Sequence, residues 1–477
     1  MKPTTHDFKS NAHSALHDVQ LQSALAKAGP GFVDKRRQAI AALPEFEELR
    51  TAARAIKEHA LAHLDEYLER FEAQVQARGG HVHWARTPEE ARRIIVDLCR
   101  EAGGTRIAKG KSMVGEEIGL NQALEQAGLE PIETDLGEYI LQLAHEPPSH
   151  IIAPAVHKTR GQIADLFREQ HARYGLESAL ETVPEIVDQA RQVLRDKFIS
   201  ADVGITGANF LIAETGSTVI VTNEGNGDLS ATLPDTHIVV TSLEKIVPTL
   251  EDASVLLRLL ARSATGQDFT AYTTFFTGPR RQGDVDGPEQ FHVVLLDNGR
   301  SDMLGNEFHD MLRCIRCGAC LNHCPIYTSV GGHAYGWVYP GPMGSVLTPL
   351  MVGLREGAHL PNASTLCGRC QEVCPMSIPL PQMLRAHREH EFREHVTAAG
   401  TRTGLRAWAF LARRPGLYRL LTGIGMRVLS GLGGRAGRLR RLPLAGGWTA
   451  ARDLPAPQGE TFVKAWQRRK RAQGPGS

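Results

Sequence analysis

Seven of the eight cysteines lie between Cys314 and Cys374. The first four form the run Cys314-Ile-Arg-Cys317-Gly-Ala-Cys320-Leu-Asn-His-Cys324-Pro325. Thiolates at that spacing suit the iron corners of a cubane [4Fe–4S] cluster, because two-residue spacers let one tight loop set three sulfurs around a cube. The fourth cysteine faces away from that cube and, in two-cluster proteins, ligates the other one. Gly318 lets backbone N–H groups approach the sulfurs, and Pro325 redirects the chain. A second motif, Cys367-Gly-Arg-Cys370-Gln-Glu-Val-Cys374-Pro375, repeats the later half of the first, with Ser364 where its leading cysteine would stand.

Crossed ligation assigns Cys314, Cys317, Cys320 and Cys374 to one cluster and Cys324, Cys367 and Cys370 to another. The second cluster then has an iron corner without a cysteine. Ser364 could fill it as an alkoxide. Water, a small molecule or a partner's cysteine are alternatives, and loss of that iron would leave [3Fe–4S]. Structural zinc fits poorly, since zinc sites take four ligands, often as C-x2-C pairs. Cys99 stands apart in VDLC, on the apolar side of a predicted helix, and reads as a buried structural thiol.

Other constellations carry weaker chemistry. Glu214, Asn223 and Glu224 lie in Gly-rich turns beside predicted strands, where α/β sheets often form ligand pockets. Glu214 could bind a hydroxyl or act in acid–base chemistry, and could equally cap a turn. Lys109-Gly110-Lys111-Ser112 lacks the upstream glycine spacing of a phosphate loop, although its lysines could meet an anion. No dinucleotide fingerprint follows a convincing strand, so neither NAD nor FAD is expected. His323, inside the first motif, reads as solvated.

The elements that must position these residues follow from periodicity. Residues 1–75 read as a helical packing arm, with Leu61, Leu64, Leu68, Phe71 and Val75 at helical spacing before Gly79-Gly80. Residues 76–300 alternate short apolar runs with amphipathic stretches, which predicts an α/β domain with a largely parallel sheet. Strands are expected at 81–85, 106–109, 151–155, 217–223, 237–242, 271–276 and 291–297. Helices are expected over 184–198 and 247–263, and after Thr87-Pro88-Glu89-Glu90. Residues 301–395 form the cysteine region. Residues 396–477 are a basic C-terminal region, with Leu417, Leu421, Ile424 and Val428 on one helical face, weakened by Gly423 and Gly425, and with a mobile end.

With 42% apolar and 22% charged residues, the chain has the composition of a folded soluble protein. Beyond residue 400 there are sixteen Lys/Arg against two Asp/Glu, so a net charge of +1 divides into a body of −13 and a tail of +14. A basic tail points to an anionic surface or partner, or to a solvated tail. No signal peptide or transmembrane run is visible, and clustered thiols fit a reducing compartment. The expected location is the cytoplasm or the inner face of its membrane. Without a helix-turn-helix or zinc finger, no nucleic-acid partner is expected.

Four stretches carry a resemblance: 204–229, 314–327, 336–344 and 364–375. Together they resemble lactate utilisation protein B, the iron–sulfur subunit of a three-protein L-lactate oxidation system. The resemblance implies an α/β domain of LUD type over about 70–300, related in fold to sugar-isomerase and CoA-transferase domains. It implies a helical ferredoxin-like domain with two [4Fe–4S] clusters over about 300–390, on the cysteines assigned above. It also implies electron transport during oxidation of L-lactate to pyruvate, with sister subunits of the A and C types and a quinone or other carrier as acceptor. No catalytic residue is assigned.

Overall fold

The computed structural model describes residues 3–176, 180–442, 445–450 and 452–473. The chain separates into a unit spanning Met1–Glu391 and a second spanning Phe392–Ser477.

The first unit is built on a six-stranded sheet. Its strands are β1 (His81–Ala85), β2 (Arg106–Lys109), β3 (Glu130–Glu133), β4 (Val203–Thr206), β7 (Thr236–Ser242) and β10 (Gln290–Leu296). Their order is β1-β10-β7-β4-β2-β3, and every pairing is parallel. A smaller sheet, ordered β8-β5-β6-β9, contains β5 (Phe210–Ile212), β6 (Ser217–Thr222), β8 (Ile246–Val247) and β9 (Tyr272–Phe276).

Helices cover both faces of the large sheet, so its central strands are apolar on both sides. Ile238, Val240, Val294 and Leu296 pack with Ile95 and Cys99 of the helix Pro88–Glu101. Val239, Phe291, Val293 and Leu295 meet Leu68, Phe71 and Val75 of a helix on the opposite face. Cys99 is fully buried in this core, which none of the motif cysteines joins, as a packing thiol.

The N-terminal arm consists of α1 (Phe8–His17), α2 (Val19–Ala41), α3 (Phe46–Ala62) and α4 (Leu64–Ala77), the last being that sheet-packing helix. Thr87 starts the Pro88–Glu101 helix by accepting from Glu90 N at 3.2 Å.

One expected strand is absent. Residues 151–155 are irregular, because His150 Nδ1 accepts from the backbone N–H groups of Ile152 and Ala153 at 3.0 and 3.1 Å. That side chain satisfies donors a ladder would have used, and Pro154 supplies no donor of its own. Strands β3, β4, β5 and β8 were not expected; they have two to four residues each, too short for periodicity to register.

In the second unit, helices span Ala399–Ala412 and Pro415–Gly433, so Gly423 and Gly425 do not interrupt the latter. The expected mobile end contains a helix, Phe462–Ala472, capped by Thr461 Oγ accepting from Lys464 N at 3.4 Å.

Gly204 in β4 shows how tightly the sheet holds the helix Asn226–Thr232: a Cβ there would lie 1.7 Å from Ser230 O. Replacing Gly204 with Ala should lower stability by about 1–3 kcal/mol through overpacking, visible as a lower melting temperature. An unchanged melting curve would show that this approach is not tight.

Candidate iron–sulfur centre and adjoining cavity

The two cysteine motifs fold alike. Arg316 and Leu366, directly before Cys317 and Cys367, have φ of 59° and 54°, followed at Gly318 and Gly368 by φ of 74° and 87°. Short helices then begin, Ala319–Asn322 and Arg369–Glu372. In the first turn Arg316 N approaches Cys314 Sγ at 3.5 Å; in the second Leu366 N donates to Ser364 Oγ at 3.1 Å. Ser364 therefore occupies, in backbone geometry and in hydrogen bonding, the position that Cys314 holds in the first motif.

Cys314, Cys317, Cys320 and Cys374 line one small, mainly apolar cavity with Ile151, Met311, Ile315, Met343, Met376, Ile378 and Leu380. No hard acidic or histidine donor shares that lining. Burial pushes the Cys317 thiol up to about 12, with Cys374 and Cys314 adding repulsion. Burial also raises Cys320, with Cys314 and Cys317 the nearest repelling groups. Such an array keeps its protons unless cationic metal compensates the sulfurs, and its soft donors suit iron–sulfur ligation. The chemistry of the donor set fits the group.

Cys324, Cys367 and Cys370 form the other neighbourhood: burial raises Cys370 to about 12, and Cys324 and Cys367 add to it. Cys370 is buried, Cys324 partly exposed and Cys367 exposed, so this group reaches the surface. His323 is half-buried, its Nδ1 2.9 Å from Ala319 O.

The arm grips the second motif from outside. Arg36 of α2 donates to Val373 O at 2.8 Å, and Arg50 of α3 to Cys374 O at 2.8 Å. Phe32 of α2 stacks on His150 at 5.6 Å, and His150 Nε2 meets Asn322 Oδ1 at 3.0 Å. Because both of its Nδ1 contacts are N–H donors, His150 carries its proton on Nε2.

A buried ion network ties the sheet to the first motif. Arg300, just past β10, donates to Glu117 Oε1 and Oε2 at 2.9 and 2.7 Å, and its Nε lies 2.9 Å from Glu244 Oε2. Glu244 meets Arg316 at 3.3 Å, and Arg316 stacks over Tyr339 at 4.9 Å, whose hydroxyl donates to Glu117 at 2.7 Å. Burial opposes the charge on Glu244, yet Arg300 and Arg316 hold its carboxyl down at about 2. Lys57 of α3 closes the back by donating to Glu244 O, and to Ile246 O at 3.2 Å.

A second cavity, of about 380 Å³, opens at the carboxyl ends of the parallel strands. Lys111, Asp135, Asn209, Asn226 and Lys245 line it, and Arg316 and Ile151 line both cavities. Asn223 and Glu224 stand at its exposed rim. Asn223 is occupied in tying loops, bonding Gln267 at 3.1 Å and accepting from Ala271 N at 3.0 Å, while Glu224 accepts from Leu136 N at 3.3 Å. Glu214 is not in the lining; its carboxylate accepts from Leu250 N at 3.2 Å and caps the helix Leu250–Ala264. The three residues expected to share a pocket are thus split, because Glu214 lies at the other end of the β5–β6 hairpin. Sequence reasoning left Glu117, Glu244, Lys245, Arg300 and Tyr339 unassigned. The signal for two of them is Leu-Glu-Lys directly after the apolar run of β7, at a strand's carboxyl end.

Comparison with known proteins gives three family matches: the LUD domain over residues 68–296, the 4Fe-4S dicluster domain over 310–378, and the C-terminal region of lactate utilisation protein B over 385–471. Lactate utilization protein B of Lysinibacillus sphaericus is 44% identical over 98% of this chain and 98% of its own. Its counterpart in Shouchella clausii is 45% identical, again over 98% of each chain. An uncharacterized electron transport protein of Escherichia coli K12, YkgF, is 44% identical over 99% of this chain and 98% of its own.

Replacing Arg300 with Met strands the Glu117 and Glu244 carboxylates in the interior. A loss of about 3–5 kcal/mol in urea unfolding is expected. Glu244's own contribution is present above the ordinary carboxylate range and is lost as pH falls toward about 2, because its folded value is depressed. A shift under 1 kcal/mol would mean that the network carries little stability.

Proposed function

The chain belongs to the lactate utilisation protein B family, and from that premise we propose that it is the iron–sulfur electron-transfer subunit of a system oxidising L-lactate to pyruvate. The observation that carries the reading is the duplicated cysteine turn, in which Cys374 of the second motif joins the cavity of the first. Cys314, Cys317, Cys320 and Cys374 hold the first cluster; Cys324, Cys367 and Cys370 hold the second, with Ser364 at its fourth corner. When bound, a [4Fe–4S] cluster takes up and releases one electron at a time, so two of them match a two-electron oxidation.

The chain's own residues do the rest. Apolar walls from Ile151 to Leu380 keep water from the first site. Arg36 and Arg50 fix the loop around Cys374 through its carbonyls. The Arg316 guanidinium, held by Glu244 and Tyr339, interacts favourably with the Cys314 thiolate. Cys367 brings the second site to the surface, where sister subunits of the A and C types and a quinone or other carrier would meet it in the cytoplasm.

Reduction of the purified protein should give EPR signals from two interacting clusters. Lack of any signal, together with no bleaching by a lactate-oxidising partner, would falsify the reading. Ser364→Cys should supply a fourth thiolate, shift the second signal and suppress a [3Fe–4S] signal after ferricyanide oxidation. Identical spectra for Ser364→Cys and the parent protein would remove Ser364 from that corner.

A second reading concerns the C-terminal unit. No residue of its helices Ala399–Ala412 and Phe462–Ala472 is buried, and Trp408, Leu420 and Trp466 are 60%, 60% and 53% exposed in a strongly basic stretch. Among the described residues no helix is long and apolar enough to cross a membrane. Aromatic and basic side chains together suit the surface of an anionic bilayer. Full-length protein should sediment with phosphatidylglycerol vesicles at low salt, and lose that binding at high salt or with phosphatidylcholine alone. Equal recovery in the supernatant with either lipid at low salt would exclude it.

A further inference from the structure

Charge around the shared wall of the two cavities does not balance. Glu117 and Glu244 match Arg300 and Arg316, one carboxylate for each guanidinium. Lys245 follows Glu244 directly and is only 6% exposed. Among the described residues its ammonium has neither a hydrogen-bond partner nor an ion pair, and its residue lines the 380 Å³ cavity. A buried lysine without a partner carries a large desolvation penalty, which an anion in that cavity would offset.

The rest of the lining sorts the cavity by charge. Asp135 and Glu224 are both engaged at the start of the helix Leu136–Ala144, where Glu138 N donates to Asp135 at 3.1 Å and Leu136 N to Glu224. Lys111 donates to Ile152 O. Lys245 lines the large cavity with Leu260 and Ala261, and Arg316 and Ile151 line both it and the cavity of the four cysteines. The buried amide of Asn226 has no side-chain hydrogen bond among the described residues and lines the same space. A free cation, an open amide and aliphatic walls are the complement of a small organic acid.

We propose that this cavity binds an organic carboxylate of the 2-hydroxy or 2-oxo acid class, with Lys245 as its counter-ion and Arg316 linking it to the first cysteine site. The choice of acid class rests on the electron-transfer reading above; the anion site itself rests on Lys245. Arg316 contacts both Glu244 and the Cys314 turn, so an anion arriving at Lys245 changes the field at that turn.

The test is calorimetric titration of the full-length protein, clusters in place, with L-lactate, pyruvate and neutral lactamide. Both acids should bind saturably, and lactamide at least tenfold more weakly. Lys245→Met should weaken the acids at least tenfold at unchanged iron content, and Lys245→Arg should retain them. L-lactate should also perturb the EPR signal of the first cluster in the parent protein, and not in Lys245→Met. Equal affinity for L-lactate and lactamide overturns the proposal without any variant. Unchanged lactate binding in Lys245→Met overturns it too, and leaves Lys245 as a charge that offsets a cluster. If reduction gives normal EPR signals and neither acid binds, this site fails while the electron-transfer reading stands; if the signals themselves are missing, it is that reading that fails.

Discussion

Arg300 is the side chain on which the relation between sheet and cysteine region depends. It leaves the sheet just past β10, is 2% exposed, and holds a carboxylate on each side. Glu117 comes from the helix after β2, and Glu244 from the turn after β7. Both partners reach onward into the cysteine region, one through the Tyr339 hydroxyl and the other through Arg316. Hydrophobic packing could hold the same layers together, but it does not fix an angle. A buried guanidinium with directional bonds does, since any rotation leaves an unpaired charge in the interior. The wall between the two cavities therefore inherits its position from the sheet.

The N-terminal arm acts by the same means from the other side. Its helices α2 and α3 contribute arginines to backbone carbonyls of the second motif, while Lys57 caps carbonyls beside Glu244. Carbonyls bonded this way cannot turn toward the sulfurs. The loop carrying Cys374 lies more than fifty residues from its cavity partners in sequence, so it needs such fixing more than the first loop does. There Cys314, Cys317 and Cys320 sit on one short turn.

The sequence reading was strongest where periodicity or spacing encodes structure directly. The run His237–Ser242 is all apolar or β-branched apart from its ends, and it forms a central parallel strand. The placing of Cys374 beside Cys314, Cys317 and Cys320, and of Ser364 at the turn position matching Cys314, follows from the fixed spacing that such cysteine loops repeat. What escaped was long-range. Nothing local marks Arg36 as a ligand of Val373 O, or Arg300 as the partner of Glu117 183 residues away. Residues 151–155 misled because Ile-Ile-Ala-Pro-Ala has strand composition while the preceding His150 takes the backbone donors a strand needs. For Glu214 the sequence left hydroxyl binding, acid–base chemistry and a capping role open, because the helix start that its carboxylate meets lies 36 residues further on.

The two cysteine neighbourhoods differ in a way that bears on direction. The first is lined mainly by apolar side chains, has four thiols, and shares Arg316 and Ile151 with the large cavity. The second has three thiols, a serine at the matching position, and an exposed cysteine. Burial away from water penalises added electrons, while adjacent cations such as Arg316 and Lys245 oppose that penalty. Serine oxygen is a harder donor than thiolate and favours oxidised iron. On the proposed function these asymmetries set the order of events along the chain: the buried, cation-flanked site sits where a bound acid would be sensed, and the exposed site where a partner can dock. On the same proposal, a serine oxygen at the fourth corner of the second site would add to the polarity that burial and flanking cations already give.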